Sequence, residues 1–290
     1  MKRTFDTTLL TKAANPAQVT TFRQDALQAG FVTSFTRRAA LAQSLIVLIG
    51  GIVALALAYA ALSQSPSSFI VVIGVFLIVA GIAFVIFGVI LLVQASHAAA
   101  DQWPGLYRKS QFAAANGFTF IPSEQQPDLP GIVFQIGSNP KSFTVFRGSG
   151  ADAVEFGNYR FDLRRDGPSG YPLTWSYVCA ARPLPAHRVI LAPRGRRRSS
   201  FYDLSRLRRL PAGDPRFEVW QSRIGAVDTA TLFAPAFLDL LAQQKLTVEL
   251  NENRVFVYKE EWRNFSTIKA MAEVAEILDA IDTGVVTPRS

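Results

Sequence analysis

Cysteine and histidine are almost missing from this sequence of 290 residues. It contains one cysteine, Cys179, and two histidines, His97 and His187. One cysteine cannot form a disulfide within the chain, so the composition gives no sign of an oxidising compartment. Three such residues are also too few for a zinc site built from histidine and cysteine. We therefore expect no metal centre of this kind.

Sequence motifs for catalysis and nucleotide binding are missing as well. The chain has no G-x-x-x-x-G-K-[ST], G-x-G-x-x-G, H-E-x-x-H or G-x-S-x-G pattern. Ser266 and Lys269 match an S-x-x-K spacing, but they fall on a predicted amphipathic helix without a partner motif. We predict no catalytic residue and no cofactor.

Charge is absent from Leu41–Ala95, the stretch around which the chain is organised. Two apolar runs, Leu41–Leu62 and Phe69–Ala95, lie on either side of a short polar connector. As helices they would span about 33 and 40 Å, enough for the ~30 Å hydrocarbon core of a bilayer. The pattern predicts a transmembrane helical hairpin; the alternative is a pair of core helices in a soluble protein.

The positive charges that flank the two runs predict an orientation. Arg37 and Arg38 precede the first run, Arg108 and Lys109 follow the second, and the connector has no lysine or arginine. The positive-inside rule then places both termini in the cytoplasm, with the protein in the inner (plasma) membrane. The first forty residues show no signal-peptide pattern.

Small residues recur along both apolar runs at spacings that suit helix packing. They allow helix backbones to approach closely. The predicted seam consists of Gly50, Ala54, Ala58 and Ala61 in the first run and Gly74, Gly81 and Gly88 in the second. The short connector favours packing of the two helices on each other, and a homodimer through the same faces is the alternative.

The polar parts of the chain predict a soluble α+β domain with a mainly antiparallel sheet over residues 101–282. Residues 1–40 form a cytoplasmic N-terminal segment, with an unstructured lead-in to Asn15 and a helix over Pro16–Ala29. That helix lies either on the membrane surface or on the cytosolic domain. Residues 283–290 are expected to be a disordered tail.

Tight turn signals separate the predicted strands, which favours antiparallel pairing because parallel strands need long crossovers. The predicted strands are Phe118–Ile121, Ile132–Ile136, Phe143–Phe146, Val154–Leu163, Leu173–Ala181, Arg188–Leu191, Arg216–Ser222, Leu246–Leu250 and Arg254–Lys259. The predicted turns include Ser138–Pro140, and the predicted helices are Asp101–Asn116, Leu232–Gln243 and Trp262–Ile281.

The net charge of +8 is concentrated in one segment, Arg182–Arg209, which holds nine arginines and one acid, Asp203. The rest of the chain is electrically balanced, so the basic pI does not indicate a general nucleic-acid-binding surface. Within a predicted basic loop, Pro193–Asp214, the candidate contact residues are Arg194, Arg196, Arg197, Arg198, Arg206, Arg208 and Arg209. Beside an anionic leaflet this loop could bind lipid head groups. A solvated loop without a ligand, a protein partner and nucleic acid are the alternatives.

The order of elements resembles a class of two-span bacterial membrane proteins with a cytosolic α+β domain of unknown function, found largely in high-GC Gram-positive bacteria. The resemblance covers most of Leu41–Ile281, and the chain departs from it around Ala186 and Gly213–Phe217. It is carried by Asn116-Gly117-Phe118, Phe134–Gly137, Phe156-Gly157-Asn158-Tyr159, Leu184-Pro185, Leu232–Pro235 and Val257-Tyr258. It implies a fold and no activity.

Together these patterns predict a membrane-anchored cytoplasmic interaction or scaffold module whose basic loop contacts anionic lipid. One alternative is a membrane-tethered enzyme acting on a membrane-derived or phosphorylated substrate. Another is a membrane-tethered regulator that binds nucleic acid.

Overall fold

The computed structural model describes residues 3–28, 37–63, 68–150, 153–163, 171–184, 188–194, 207–211, 213–222, 232–251 and 253–285. The chain divides into two compact units. The first contains Met1–Val32 and Leu106–Ser290, and the second is Thr33–Gly105. The first unit is thus built from both sides of the apolar stretch.

Two short helices precede the apolar stretch. They are α1, Thr8–Thr11, and α2, Pro16–Gln28. Asn15 starts α2 as predicted, because its side-chain Oδ1 accepts a hydrogen bond from the Ala17 amide at 2.9 Å.

The second unit is an antiparallel pair of long helices, α3 (Arg37–Ser63) and the larger part of α4 (Ser68–Ala115). The last ten residues of α4, from Leu106, belong to the first unit. Ala42–Ser63 and Ser68–Val93 are long and apolar enough to cross a membrane, and only 11% of the most apolar window in each is buried. The prediction of two apolar helices followed by an antiparallel-sheet domain is confirmed.

The prediction of a separate helix over Asp101–Asn116 is wrong, because α4 continues without a break to Ala115. Pro104 lies inside the helix, where its ring removes one backbone hydrogen bond. The residues before it are mostly alanine and other helix formers, so no stop signal interrupts the helix.

The first unit is organised on one nine-stranded antiparallel sheet with the order β1-β2-β3-β4-β9-β8-β5-β7-β6. The strands are β1 Phe118–Gln125, β2 Ser138–Gly148, β3 Val154–Leu163, β4 Tyr171–Ala181, β5 Val189–Pro193, β6 Leu207–Leu210, β7 Phe217–Ser222, β8 Thr247–Asn251 and β9 Arg254–Lys259. Every strand pairing is antiparallel.

Three local predictions in this unit are wrong. Ile132–Ile136 is not a strand: Ile132–Gln135 forms a 3₁₀ turn whose first three residues are all buried. A short apolar run cannot distinguish a strand from another buried segment. Ser138–Pro140 is not a turn but an irregular stretch inside β2, with Asn139 at φ 54°. The basic loop contains a strand, β6, whose four residues are too few to show alternation.

Each face of the sheet carries its own apolar core. On one face, Phe134 of the 3₁₀ turn packs against the rings of Tyr159, Tyr177 and Phe256. Helices α5 (Pro235–Gln244) and α6 (Ile268–Gly284) complete the unit. Helix α6 begins six residues later than predicted, at an N-cap Thr267 whose hydroxyl accepts from the Ala270 amide.

The N-terminal segment is part of the first unit, so the prediction of an unstructured lead-in is wrong. The Phe5 ring lies 5.8 Å from the ring of Phe118 and 6.1 Å from those of Phe112 and Phe156. The Arg3 amide donates to the Asp279 carboxylate at 2.8 Å. Phe5 is flanked by polar residues on both sides, so no repeating apolar pattern in the sequence predicts that it is part of the core.

Candidate functional site

The structure describes three of the seven arginines predicted to contact a partner. Arg194 follows β5, and Arg208 and Arg209 lie on β6, the last strand of the sheet. The other four lie outside the described residues: Arg196, Arg197, Arg198 and Arg206. The sheet thus brings Arg208 and Arg209 together on one edge.

The three described arginines differ in how far their charge is neutralised. Arg209 Nη2 lies 2.7 Å from Glu218 Oε1, and its guanidinium lies 5.9 Å from the Trp220 ring. Arg194 and Arg208 are exposed, and neither forms an ion pair within the described part of the chain. Because β6 is an edge strand, its exposed cations also discourage pairing with another sheet.

Two other arginines of the basic segment are structural. Arg182 forms an ion pair with Asp282. Arg188 Nε lies 3.0 Å from Oε1 of Glu249, whose side chain is fully buried. The other oxygen, Glu249 Oε2, accepts from the Ile132 amide and the Tyr258 hydroxyl, both at 2.8 Å. This pair therefore fixes the 3₁₀ turn to the sheet.

A second internal ionic cluster surrounds Glu155. Its carboxylate accepts from Arg147 Nε and, at 2.8 Å, from the Tyr177 hydroxyl, while Arg147 also reaches Glu124 at 2.7 Å. Burial and the Glu155 charge raise the pKa of Tyr177 well above its ordinary value. The carboxylates of Glu155 and Glu249 are buried, so neither is placed to meet a substrate from solvent.

Comparisons with known proteins assign no family. No family model matches this chain, and no curated protein matches it. Among solved structures it is similar to the crystal structure of the mycobacterial trehalose monomycolate transport factor A, TtfA. The identity is 13%, the TM-score is 0.41, and the match covers 63% of this chain and 97% of that chain. A similarity of this degree is too low to assign a fold or a function.

The small residues predicted to form a helix-packing seam occupy different environments. A Cβ on Gly81 would lie 2.8 Å from Leu55, one on Gly74 2.7 Å from Leu62, and one on Gly88 3.1 Å from Leu48. Ala58 is fully buried, whereas a Cβ on Gly50 would meet no atom within 4 Å. Its neighbour Gly51 makes the close approach instead, 2.9 Å from the Gly81 carbonyl.

The described part of the first unit contains two cavities of several hundred Å³. One, of about 450 Å³, lies between the N-terminal segment and α6, with Phe5 and Met271 among its lining residues and both signs of charge present. The other, of about 370 Å³, lies between residues 9–18 and the end of α4. Sequence patterns missed both, because each is lined by segments far apart in the chain.

Chemistry based on a metal finds no support in the residues that the structure describes. They contain no group of three or more histidine, cysteine, aspartate or glutamate side chains that could hold an ion. Cys179 is buried in β4, and burial raises the pKa of its thiol to about 12, so it is not an activated nucleophile.

Proposed function

We propose that this protein is a membrane-anchored interaction module. The observation that carries the proposal is the exposure of the helix pair α3 and α4. Ile46 on α3 and Phe76 on α4 are 70% and 71% exposed. Exposed apolar surface is unfavourable in water by about 25 cal/mol per Å². A bilayer removes this cost, and a helix satisfies its own backbone hydrogen bonds there.

In this proposal both termini face the cytoplasm, and the basic segment lies near the inner leaflet of the plasma membrane. The flanking Arg37, Arg38, Arg108 and Lys109 support that orientation under the positive-inside rule. Exposed cations such as Arg194 and Arg208 would each gain on the order of 1 kcal/mol beside anionic lipid. The buried state of Glu155 and Glu249 favours binding over catalysis as the role of the first unit.

The anchor is tested by extraction of the full-length protein from cell membranes. We expect it to stay with the membranes in high salt and at alkaline pH and to be released only by detergent. A variant with charges on both apolar faces, Ile46→Asp and Phe76→Asp, should be recovered in the soluble or aggregated fraction. Release of the unaltered protein by alkaline buffer would refute the anchor.

The orientation is tested with single cysteines in the natural background, because the buried Cys179 should not react. Ser63→Cys lies at the end of α3, and Thr119→Cys lies on an exposed position of β1. A membrane-impermeant maleimide should label S63C in intact cells and T119C only after permeabilisation. The reverse pattern would mean that the termini are outside.

The lipid contact is tested by hydrogen–deuterium exchange of the full-length protein in nanodiscs. We expect amides of residues 194–211 to exchange more slowly when phosphatidylglycerol replaces part of the phosphatidylcholine. The effect should vanish in 0.5 M salt, an amount roughly sufficient to screen exposed charges, and in the triple variant R196A/R197A/R198A. Identical exchange in both lipids would leave the anchor standing but exclude the lipid contact.

A further inference from the structure

The cavity of about 370 Å³ in the first unit has an unusual lining. It is formed by the segment between α1 and α2 and by the last turns of α4. Its lining residues are Leu9, Lys12, Ala13, Ala14, Asn15, Gln18, Tyr107, Arg108 and Gln111. Two of these are cations and none is a carboxylate.

The two cations in the lining of this cavity are Lys12 and Arg108. Within the described part of the chain, neither Lys12 nor Arg108 forms an ion pair. On the same turn of α4, burial and then the neighbouring Arg108 lower the pKa of Lys109, and no acid counteracts them. Two like charges without a carboxylate between them make a local site that attracts an anion.

The neutral side chains of the lining present hydrogen-bond donors. The oxygen of Asn15 is already occupied by the Ala17 amide, at 2.9 Å. The oxygen of Gln18 accepts from the Tyr107 hydroxyl at 3.1 Å. The amide nitrogens of both side chains are therefore left to donate. Because Asn15 itself caps α2, the anion would be held by side chains and not by the helix end.

We propose that this cavity binds the phosphoryl group of a phosphate ester. A guanidinium offers a planar fork of donors that matches phosphate oxygens, and a lysine adds a point charge. The volume lies near the lower end of the roughly 300–1,000 Å³ range of small-molecule sites. The aliphatic Leu9, Ala13 and Ala14 provide a wall for the carbon skeleton. The ester is either a phospholipid head group or a soluble molecule, since both carry the same chemistry.

The test measures phosphate-ester binding to the full-length protein in micelles of dodecyl maltoside, a detergent without phosphate, with glycerol 3-phosphate as the probe in isothermal titration calorimetry. We expect saturable binding. The variant K12Q/R108Q should bind at least about a hundredfold more weakly, because each charge-assisted hydrogen bond contributes about tenfold or more. A control variant, R160Q/K245Q, removes the same charge from two exposed residues outside the lining and should bind like the natural protein.

A second variant distinguishes a loss of binding from a loss of folding. Asn15→Asp retains a good N-cap and adds a negative charge to the cavity, so the thermal unfolding temperature should stay unchanged while affinity falls by about tenfold or more. Absence of saturable binding to the natural protein would overturn the proposal. Equal affinity of the natural protein and K12Q/R108Q would overturn it too.

The same titration distinguishes a phospholipid head group from a soluble molecule as the source of the phosphate ester. Nanodiscs with phosphatidylglycerol should weaken the apparent affinity for glycerol 3-phosphate if a lipid head group fills the cavity. An unchanged affinity in those nanodiscs would assign the cavity to a soluble ester. Both results support a phosphoryl site, and they differ only in which molecule supplies the group.

Discussion

At the scale of single residues, the first unit depends on polar groups that its sequence surroundings do not explain. Glu249 lies among apolar residues of β8 and is fully buried. Its oxygens bind Arg188, Tyr258 and the backbone of the 3₁₀ turn. The alternation of apolar and polar residues in β8 predicts that Glu249 faces solvent. That alternation gives no sign that another segment, the 3₁₀ turn, covers this face of the sheet.

Replacing Glu249 by glutamine should destabilise the protein strongly. The change leaves the Arg188 guanidinium partly buried without its counter-charge, which costs about 3 kcal/mol or more. Denaturant unfolding of the full-length protein in mild detergent measures the effect through tryptophan fluorescence. Glu261→Gln is the matched control: its pair with Lys259 is largely exposed, so less than about 1 kcal/mol is expected. A loss in E249Q no larger than in E261Q would contradict the structural role.

Cys179 should not react with thiol reagents in the folded protein. Burial raises its pKa to about 12, so the folded state holds very little of the reactive thiolate at pH 8. Labelling by iodoacetamide should therefore be very slow until denaturant unfolds the first unit, and should then become fast. Rapid labelling without denaturant would show that β4 opens readily or that the thiol is not buried.

At the scale of elements, the packing of α3 on α4 depends on helix rotation as well as on small-residue spacing. Spacing selects Gly50, but the close approach is made by Gly51, which faces the Gly81 carbonyl. The face that includes Gly51, Leu55, Ala58 and Leu62 meets α4. The face of α3 that contains Gly50 and the face that contains Gly51 both carry small residues, and only contact with α4 distinguishes them.

The two adjacent glycines give a direct comparison. Gly51→Val should push the helices apart, because a Cβ there would already lie 2.9 Å from Gly81 O and from Val85. Gly50→Val should have little effect on this packing, since its Cβ meets open space. A disulfide between L62C and G74C reports the packing, and its rate of formation should fall in G51V alone. An equal fall in both variants would contradict the assigned faces.

At the scale of the whole molecule, the first unit is completed by residues on both sides of the apolar helices. The N-terminal residues 3–28 and the residues from Leu106 onward belong to it together. Phe5 joins the aromatic core, and Asp6 and Asn116 exchange hydrogen bonds of 2.8 and 3.0 Å. A fragment that starts after the helix pair would therefore lack part of this core.

Truncation of Phe5 should loosen the N-terminal segment. Phe5→Ala removes three ring contacts from a half-buried site, which should cost about 2 kcal/mol or more. Limited trypsin digestion should then cut faster at Lys12. Leu27→Ala truncates an apolar side chain that is 54% exposed and should leave the rate unchanged. Equal digestion of F5A and the natural protein would mean that the segment is not held by this contact.

Features that depend only on residues close together in the chain can be predicted from its amino-acid pattern. Uncharged runs of more than about 18 residues predict helices such as α3 and α4, and alternation with tight turns predicts an antiparallel sheet. Strands β3 and β9 were predicted to the residue. These patterns lie within contiguous stretches of the chain, and they can therefore be recognised without knowledge of the fold.

Three features depend on how distant segments pack: which charges are buried, which glycine meets the opposite helix, and where cavities open. Glu249 and Arg188 are 61 positions apart, and Lys12 and Arg108 are 96 positions apart. Their approach depends on sheet register and on the rotation of helices against each other. A shift of one residue in strand register, or a corresponding rotation of a helix, would turn the same side chains to another face. No pattern of neighbouring residues predicts which arrangement forms.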